Sequence, residues 1–178
     1  MPNRPIGKHK KYRALILCCG HMDRGDDAIG PLCAAALEAF HIPTRTLEGV
    51  SSQLLDAFQQ AEHVIVVDAI VSGQVAPGTL HSSEAADPQF APQTARCSAN
   101  GLGLNQAVRL ARALRCLPTS LTLLGLEATQ FDWASTLSTP IAAAMPQLVA
   151  AVVQQWRRLA EVRPEPQRNL ALRPAVPN

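Results

Sequence analysis

Two short runs, Arg13-Ala-Leu-Ile-Leu-Cys-Cys19 and His63-Val-Ile-Val-Val-Asp68, are apolar almost without interruption. They constrain the fold more than any other feature. A strand with one wet face alternates apolar and polar residues, and a strand that lacks the alternation is buried on both faces. Both runs therefore predict central strands of a sheet covered on its two sides.

The segments between them read as covering helices. After the first run comes a polar loop, Gly20-His-Met-Asp-Arg-Gly-Asp-Asp27, and then apolar residues recur at Ile29, Leu32, Cys33, Ala36, Leu37 and Phe40. That is the spacing of one helical face, and it predicts a helix opening near Asp26 or Asp27. Residues 44–47 suit a short strand, and Ser51 or Ser52 suits the cap of a helix carrying Leu54, Leu55 and Phe58. Beyond the second run, Ser72, Gly73, Pro77 and Gly78 form turns that lead into a strand at 79–82. Pro, Gln and Ala crowd residues 84–93, which predicts a mobile loop. A helix follows over 104–115, then a strand over 121–126. Thr139 supplies a capping hydroxyl and Pro140 the first turn of a long last helix, with the stripe Ile141, Ala144, Met145, Leu148, Val152, Trp156 and Leu159. Alternating strands and helices specify an α/β class, with a mostly parallel twisted sheet flanked by helices on both faces.

A chain of 178 residues has the length of one such domain. The expected organisation is a basic flexible tail over 1–12, one domain over 13–160, and a Pro-rich flexible tail over 161–178. The net charge is only +2, and many cations (Arg4, Lys8, Lys10, Lys11, Arg13, Arg173) lie near the ends. With one Tyr, two Trp and four Phe, nothing resembles a basic, aromatic surface for nucleic acid. No export signal is readable, and no apolar run approaches the roughly 18 to 20 residues that span a bilayer. The expectation is a cytoplasmic protein. Its five cysteines are odd in number and form no C-x-x-C pair, so they read as reduced, buried thiols.

In parallel sheets, sites form from the loops beyond the carboxyl ends of the strands. Here the loops after Cys19 and after Asp68 bring acidic residues to that edge, and Ser98-Ala-Asn-Gly101 opens a helix that can reach it. No Ser-His-Asp pattern and no H-E-x-x-H helix is present. Local roles compete with functional ones. Asp26 and Asp27 suit a helix start, Asp68 a turn cap, Asn100-Gly101 a turn, and His21 an exposed loop. Cys18 and Cys19 lie in an apolar strand that raises a thiol's pKa, which argues against a nucleophile.

Taken in order, these segments resemble the hydrogenase maturation endopeptidases. Cys18-Cys-Gly-His-Met-Asp-Arg-Gly-Asp-Asp-Ala-Ile-Gly30 resembles the family's N-terminal Gly-x-Gly-Asn loop with its acidic pair and glycine. Val64-Ile-Val-Val-Asp-Ala-Ile-Val71 and Pro77-Gly-Thr79 resemble its second acidic strand end and its Pro-Gly-Thr turn. Ser98-Ala-Asn-Gly-Leu-Gly-Leu104 stands where the family has Ser-x-His-Gly. Leu123-Leu-Gly-Leu-Glu127 and Leu137-Ser-x-Pro140 are similar to its last strand and last helix start.

The resemblance implies a five-stranded α/β domain and a peptidase that removes the C-terminal extension from the nickel-loaded large-subunit precursor of a nickel–iron hydrogenase. It implies that Asp27 and Asp68 are the catalytic and metal-binding carboxylates, and that nickel arrives with the precursor, so the protein needs no tightly bound cofactor of its own. Arg24, Asp26 and Gly101 fall where they can contact this substrate, and a monomer is expected. The chain departs from the pattern at three places. Cys18 replaces the first glycine, His21 replaces the loop asparagine, and Asn100 replaces the family histidine. An amide oxygen is a weaker nickel ligand than imidazole. Either His21 has taken over as ligand or no histidine is used. Two further readings stay open: a non-catalytic nickel-checkpoint or precursor-binding protein on the same fold, and a small-molecule hydrolase with an all-oxygen metal site.

Overall fold

The computed structural model describes residues 11–48, 51–85 and 103–161. The expectations for both tails beyond these limits, for most of the 84–93 loop, and for Ser98, Asn100 and Gly101 lie outside the described residues, as do the side chains of Ser51 and Ser52.

Among the described residues, five strands and four α-helices follow the expected alternation. The strands are β1 (Tyr12–Cys19), β2 (Thr44–Leu47), β3 (Ala61–Ile70), β4 (Leu80–Glu84) and β5 (Ser120–Glu127). The helices are α1 (Ile29–Glu38), α2 (Ser51–Gln60), α3 (Gly103–Ala113) and α4 (Thr139–Glu161). They form one sheet in the order β2-β1-β3-β5-β4. Every pairing is parallel except that of β4, which runs antiparallel on β5 at the edge. The apolar runs are the central strands β1 and β3. Their alternate residues feed two cores. Leu15, Leu17, Val64 and Val66 pack with α2 and α3, whereas Ile16, Cys18, Ile65 and Val67 pack with α1 and α4. Among the described residues, no helix is long and apolar enough to cross a membrane.

Three local expectations are corrected. The chain enters α1 through a 3₁₀ turn, Gly25–Ala28, and neither that turn nor α1 has a side-chain cap. Asp26 therefore does not cap the helix. The first helical bond of α4, from the Ala142 N–H, goes to the Ser138 carbonyl, which moves the N-cap one residue ahead of Thr139. Finally, β3 continues two residues past Asp68 to Ile70, so Asp68 is a buried strand residue rather than a strand end.

Candidate active site

The site builds from the carboxyl ends of β1 and β3. The chain leaves β1 at Gly20, whose φ of +128° lies in the region that favours glycine. A Cβ there would stand 1.9 Å from the Asp27 carbonyl oxygen, so the loop can fold back on itself only with glycine at this position. The return brings the His21 N–H to Asp27 Oδ2 at 3.1 Å. Gly30 makes a second close approach. A Cβ on it would meet the Cys19 carbonyl oxygen at 2.0 Å, so α1 starts directly against the end of β1. These contacts fix Asp27 over the strand end.

Asp68 sits on the neighbouring strand. Register pairs Cys18 with Val67, which puts Asp68 level with Cys19, and the 3₁₀ turn bearing Asp27 packs against β3. The two carboxylates are thus brought to the same end of adjacent strands. Strand alternation assigns Asp68 to the face of Val66 and Ile70, the face on which α3 begins with buried Leu104. Its Oδ1 accepts the Ala69 N–H at 2.8 Å. Both carboxylates are buried, each 2% exposed. Asp27 Oδ1 is buried with no hydrogen-bond partner among the described residues. Burial raises the Asp27 pKa above its ordinary 3.8, and this outweighs the lowering by the His21 N–H, by Arg24 and by His21. An oxygen in this position calls for a proton or a cation.

His21 does not join the carboxylates through its ring. Nδ1 accepts the Asp23 N–H at 3.3 Å, and the ring meets Trp133 edge-on at 4.9 Å between centroids. Among the described residues, no three His, Cys, Asp or Glu side chains gather into a metal-holding group, so His21, Asp27 and Asp68 do not form one. Arg24 directs its Nε to the Phe131 carbonyl at 3.3 Å, with its guanidinium over the Trp133 ring at 5.6 Å.

Asp26 is completely buried and fully engaged, which removes it as a direct substrate contact. Its Oδ2 accepts from the Thr129 and Gln130 N–H groups and from the Ser138 hydroxyl, and its Oδ1 accepts the Ser138 N–H at 2.7 Å. It staples the β1–α1 loop to the β5–α4 loop. A second buried carboxylate, Glu127 at the end of β5, does the same for the loop after β3. It accepts from the Ser72 N–H and hydroxyl, the Gly73 N–H and His81 Nε2. Burial alone would raise its pKa, but these donors prevail and hold it below its ordinary 4.5. Cys18, in the place of the first glycine, is buried. The Cys33 thiol hydrogen-bonded to it, together with burial, pushes its pKa far up, so it is an inert packing group.

Residues 49–155 match a family model described as HycI: Hydrogenase maturation protease. The chain is 30% identical over 151 residues to the Hydrogenase 2 maturation protease of Escherichia coli (strain K12), an alignment covering 79% of this chain and 90% of that protein. This chain belongs to the hydrogenase maturation proteases. The fold agrees. The E. coli maturating endopeptidase HybD superposes with a TM-score of 0.68 at 27% identity, covering 82% of this chain and 93% of that one. HybD from Thermococcus kodakarensis, at 20% identity, repeats the fold with a TM-score of 0.66 over 80% of this chain and 98% of that one. A maturation protease is a peptidase, so its site must hold a peptide carbonyl and a water, with groups that polarise one and activate the other. Sequence reasoning missed the β5–α4 loop, which contributes Trp133 to the margin of the site. Trp133 carries no periodicity and matches no motif, so it gave no signal.

Proposed function

We propose that the chain is an endopeptidase that removes the C-terminal extension of the nickel-loaded large-subunit precursor of a nickel–iron hydrogenase. It works as a cytoplasmic monomer and has no resident cofactor. Nickel enters as part of the substrate, and Asp27 and Asp68 bind it. The observation that carries this reading is the buried Asp27 Oδ1, which has no hydrogen-bond partner among the described residues and sits at the same sheet edge as Asp68. A divalent cation there compensates the buried charge, and two carboxylates leave coordination positions for ligands that the precursor brings. So held, the ion can polarise the scissile carbonyl or lower the pKa of an attacking water, with a carboxylate accepting the proton. By sequence, Asn100 stands in the family's histidine position and offers a neutral oxygen in place of imidazole.

The test is incubation of the purified chain with nickel-loaded and nickel-free precursor, followed by mass spectrometry of the large subunit. Loss of the C-terminal extension only from the loaded form is the expected result. A stable complex with no shortening would instead establish the non-catalytic precursor-binding reading. Equal cleavage of both forms would overturn nickel recognition.

A further inference from the structure

The loop over residues 128–138 is held to the Asp27 loop by more than the Asp26 staple. The Gly25 N–H donates to the Ser135 carbonyl, the Asp26 N–H to the Gln130 carbonyl, and the Ala134 N–H to the Asp23 carbonyl. A bridge pairs Arg24 with Ser135. The result is one rigid unit of two loops, and at its crest Trp133 is 66% exposed. An exposed tryptophan is ordinarily free to rotate. This one lies under the Arg24 guanidinium and against the His21 ring, and the backbone N–H of His21 holds the Asp27 carboxylate. Next to it opens a pocket of about 560 Å³, lined by Met22, Leu32, Leu137 and Ala142 together with the polar Asp23 and Thr136. Met22 is itself half exposed.

We propose that Trp133 and this pocket, rimmed by Met22, form an anchor that receives an apolar segment of the precursor and so delivers the scissile bond to the carboxylates. The inference rests on the proposed substrate. Three features argue for that occupant. The surface is continuous with the loop that carries Asp27. Its lining is more apolar than polar. Its tryptophan is ordered before any partner arrives, so little side-chain entropy is lost on binding, as is typical of residues that dominate interface affinity. Arg24 is held beside the tryptophan, its Nε donating to the Phe131 carbonyl while its guanidinium lies over the Trp133 ring.

The chain has two tryptophans, Trp133 and Trp156. When it is labelled with 5-fluorotryptophan it gives two ¹⁹F resonances. Unlabelled precursor should shift or broaden that of Trp133 and leave that of Trp156, on α4, unchanged. Trp133→Ala should raise KM for the precursor by about 30-fold or more, with kcat within about twofold. Trp133→Phe should recover much of the loss. Because the side chain is mostly exposed, the melting temperature of both variants should stay near that of the parent. A complex that leaves the Trp133 resonance unmoved, or a Trp133→Ala variant with unchanged KM, overturns the anchor while processing itself stands. A dimer that forms without precursor and is dissolved by Trp133→Ala also overturns it, by naming a second copy as the occupant. If the parent chain neither binds nor cleaves precursor, the proposed function fails and the anchor fails with it.

Discussion

Two buried carboxylates with the same exposure have opposite electrostatics, and the difference lies in the donors each one has. Among the described residues Asp27 has one hydrogen bond and an oxygen without a partner, and burial dominates, so its pKa rises. Glu127 is buried too, but four donors overcome the burial and its pKa falls. A raised carboxyl pKa means that the native state binds protons more readily than the unfolded chain. The associated stability is present below pH 3.8 and is lost as pH rises through the native pKa. Asp27→Asn should therefore be more stable than the parent at neutral pH, with the gap closing below about pH 3.8 in urea titrations across pH. The same variant, like Asp68→Asn, should lose at least about 100-fold in precursor processing. Parental stability at every pH would show that Asp27 carries no burial penalty, and parental processing would remove its metal role. For Glu127 the sign reverses. Its contribution is present above pH 4.5 and is lost as pH falls through the depressed pKa. Glu127→Gln should lower stability by about 1–3 kcal/mol at neutral pH and flatten the acid limb of the stability curve. An unchanged acid limb would count against the assignment.

At the scale of elements, the helix start after β1 separates what a local reading can find from what it cannot. The apolar stripe of α1 was legible, because periodicity is a local property. The role of Asp26 was not. Its partners Thr129, Gln130 and Ser138 lie 103, 104 and 112 residues along the chain, and only the closed sheet brings them within reach. Asp26→Asn replaces one acceptor oxygen by an amide that cannot accept. It should cost roughly 2 kcal/mol and speed hydrogen exchange at the amides of Thr129, Gln130 and Ser138. Slow exchange at those amides in the variant would mean that the staple is not what orders the loop. Gly30 bears on the same junction from the other side. A Cβ there would stand 2.0 Å from the Cys19 carbonyl, and backbone cannot yield as a flexible side chain can. Gly30→Ala should therefore destabilise by about 3 kcal/mol or more despite alanine's better helix propensity. A rise in melting temperature would contradict the close packing of α1 on β1.

For the whole molecule, the two central strands and the layer structure were legible from β1 and β3, because a strand without alternation must be central and covered, whereas the order of the strands was not. The burial of Asp68 was not, since a carboxylate at the end of an apolar run reads as the strand's limit until pairing with Gly125 carries β3 on to Ile70. The anchor at Trp133 was invisible for a similar reason, since it exists only where two loops meet. Together these bear on the altered ligand position. His21 is the histidine nearest Asp27 in sequence, and its Nδ1 accepts the Asp23 N–H while its ring meets Trp133 edge-on. His21→Ala should then leave nickel affinity nearly unchanged and raise KM for precursor, since it removes a support of Trp133. Asn100→His should do the reverse, strengthening nickel binding and nickel-dependent cleavage, because imidazole is the better nickel ligand. The two variants and Asn100→Ala are to be compared side by side in nickel titrations and precursor cleavage. If His21→Ala lowers nickel affinity more than Asn100→Ala does, the histidine has changed loops. The ring would then have to leave Trp133 to reach the metal, and the anchor and the metal site would compete for one side chain.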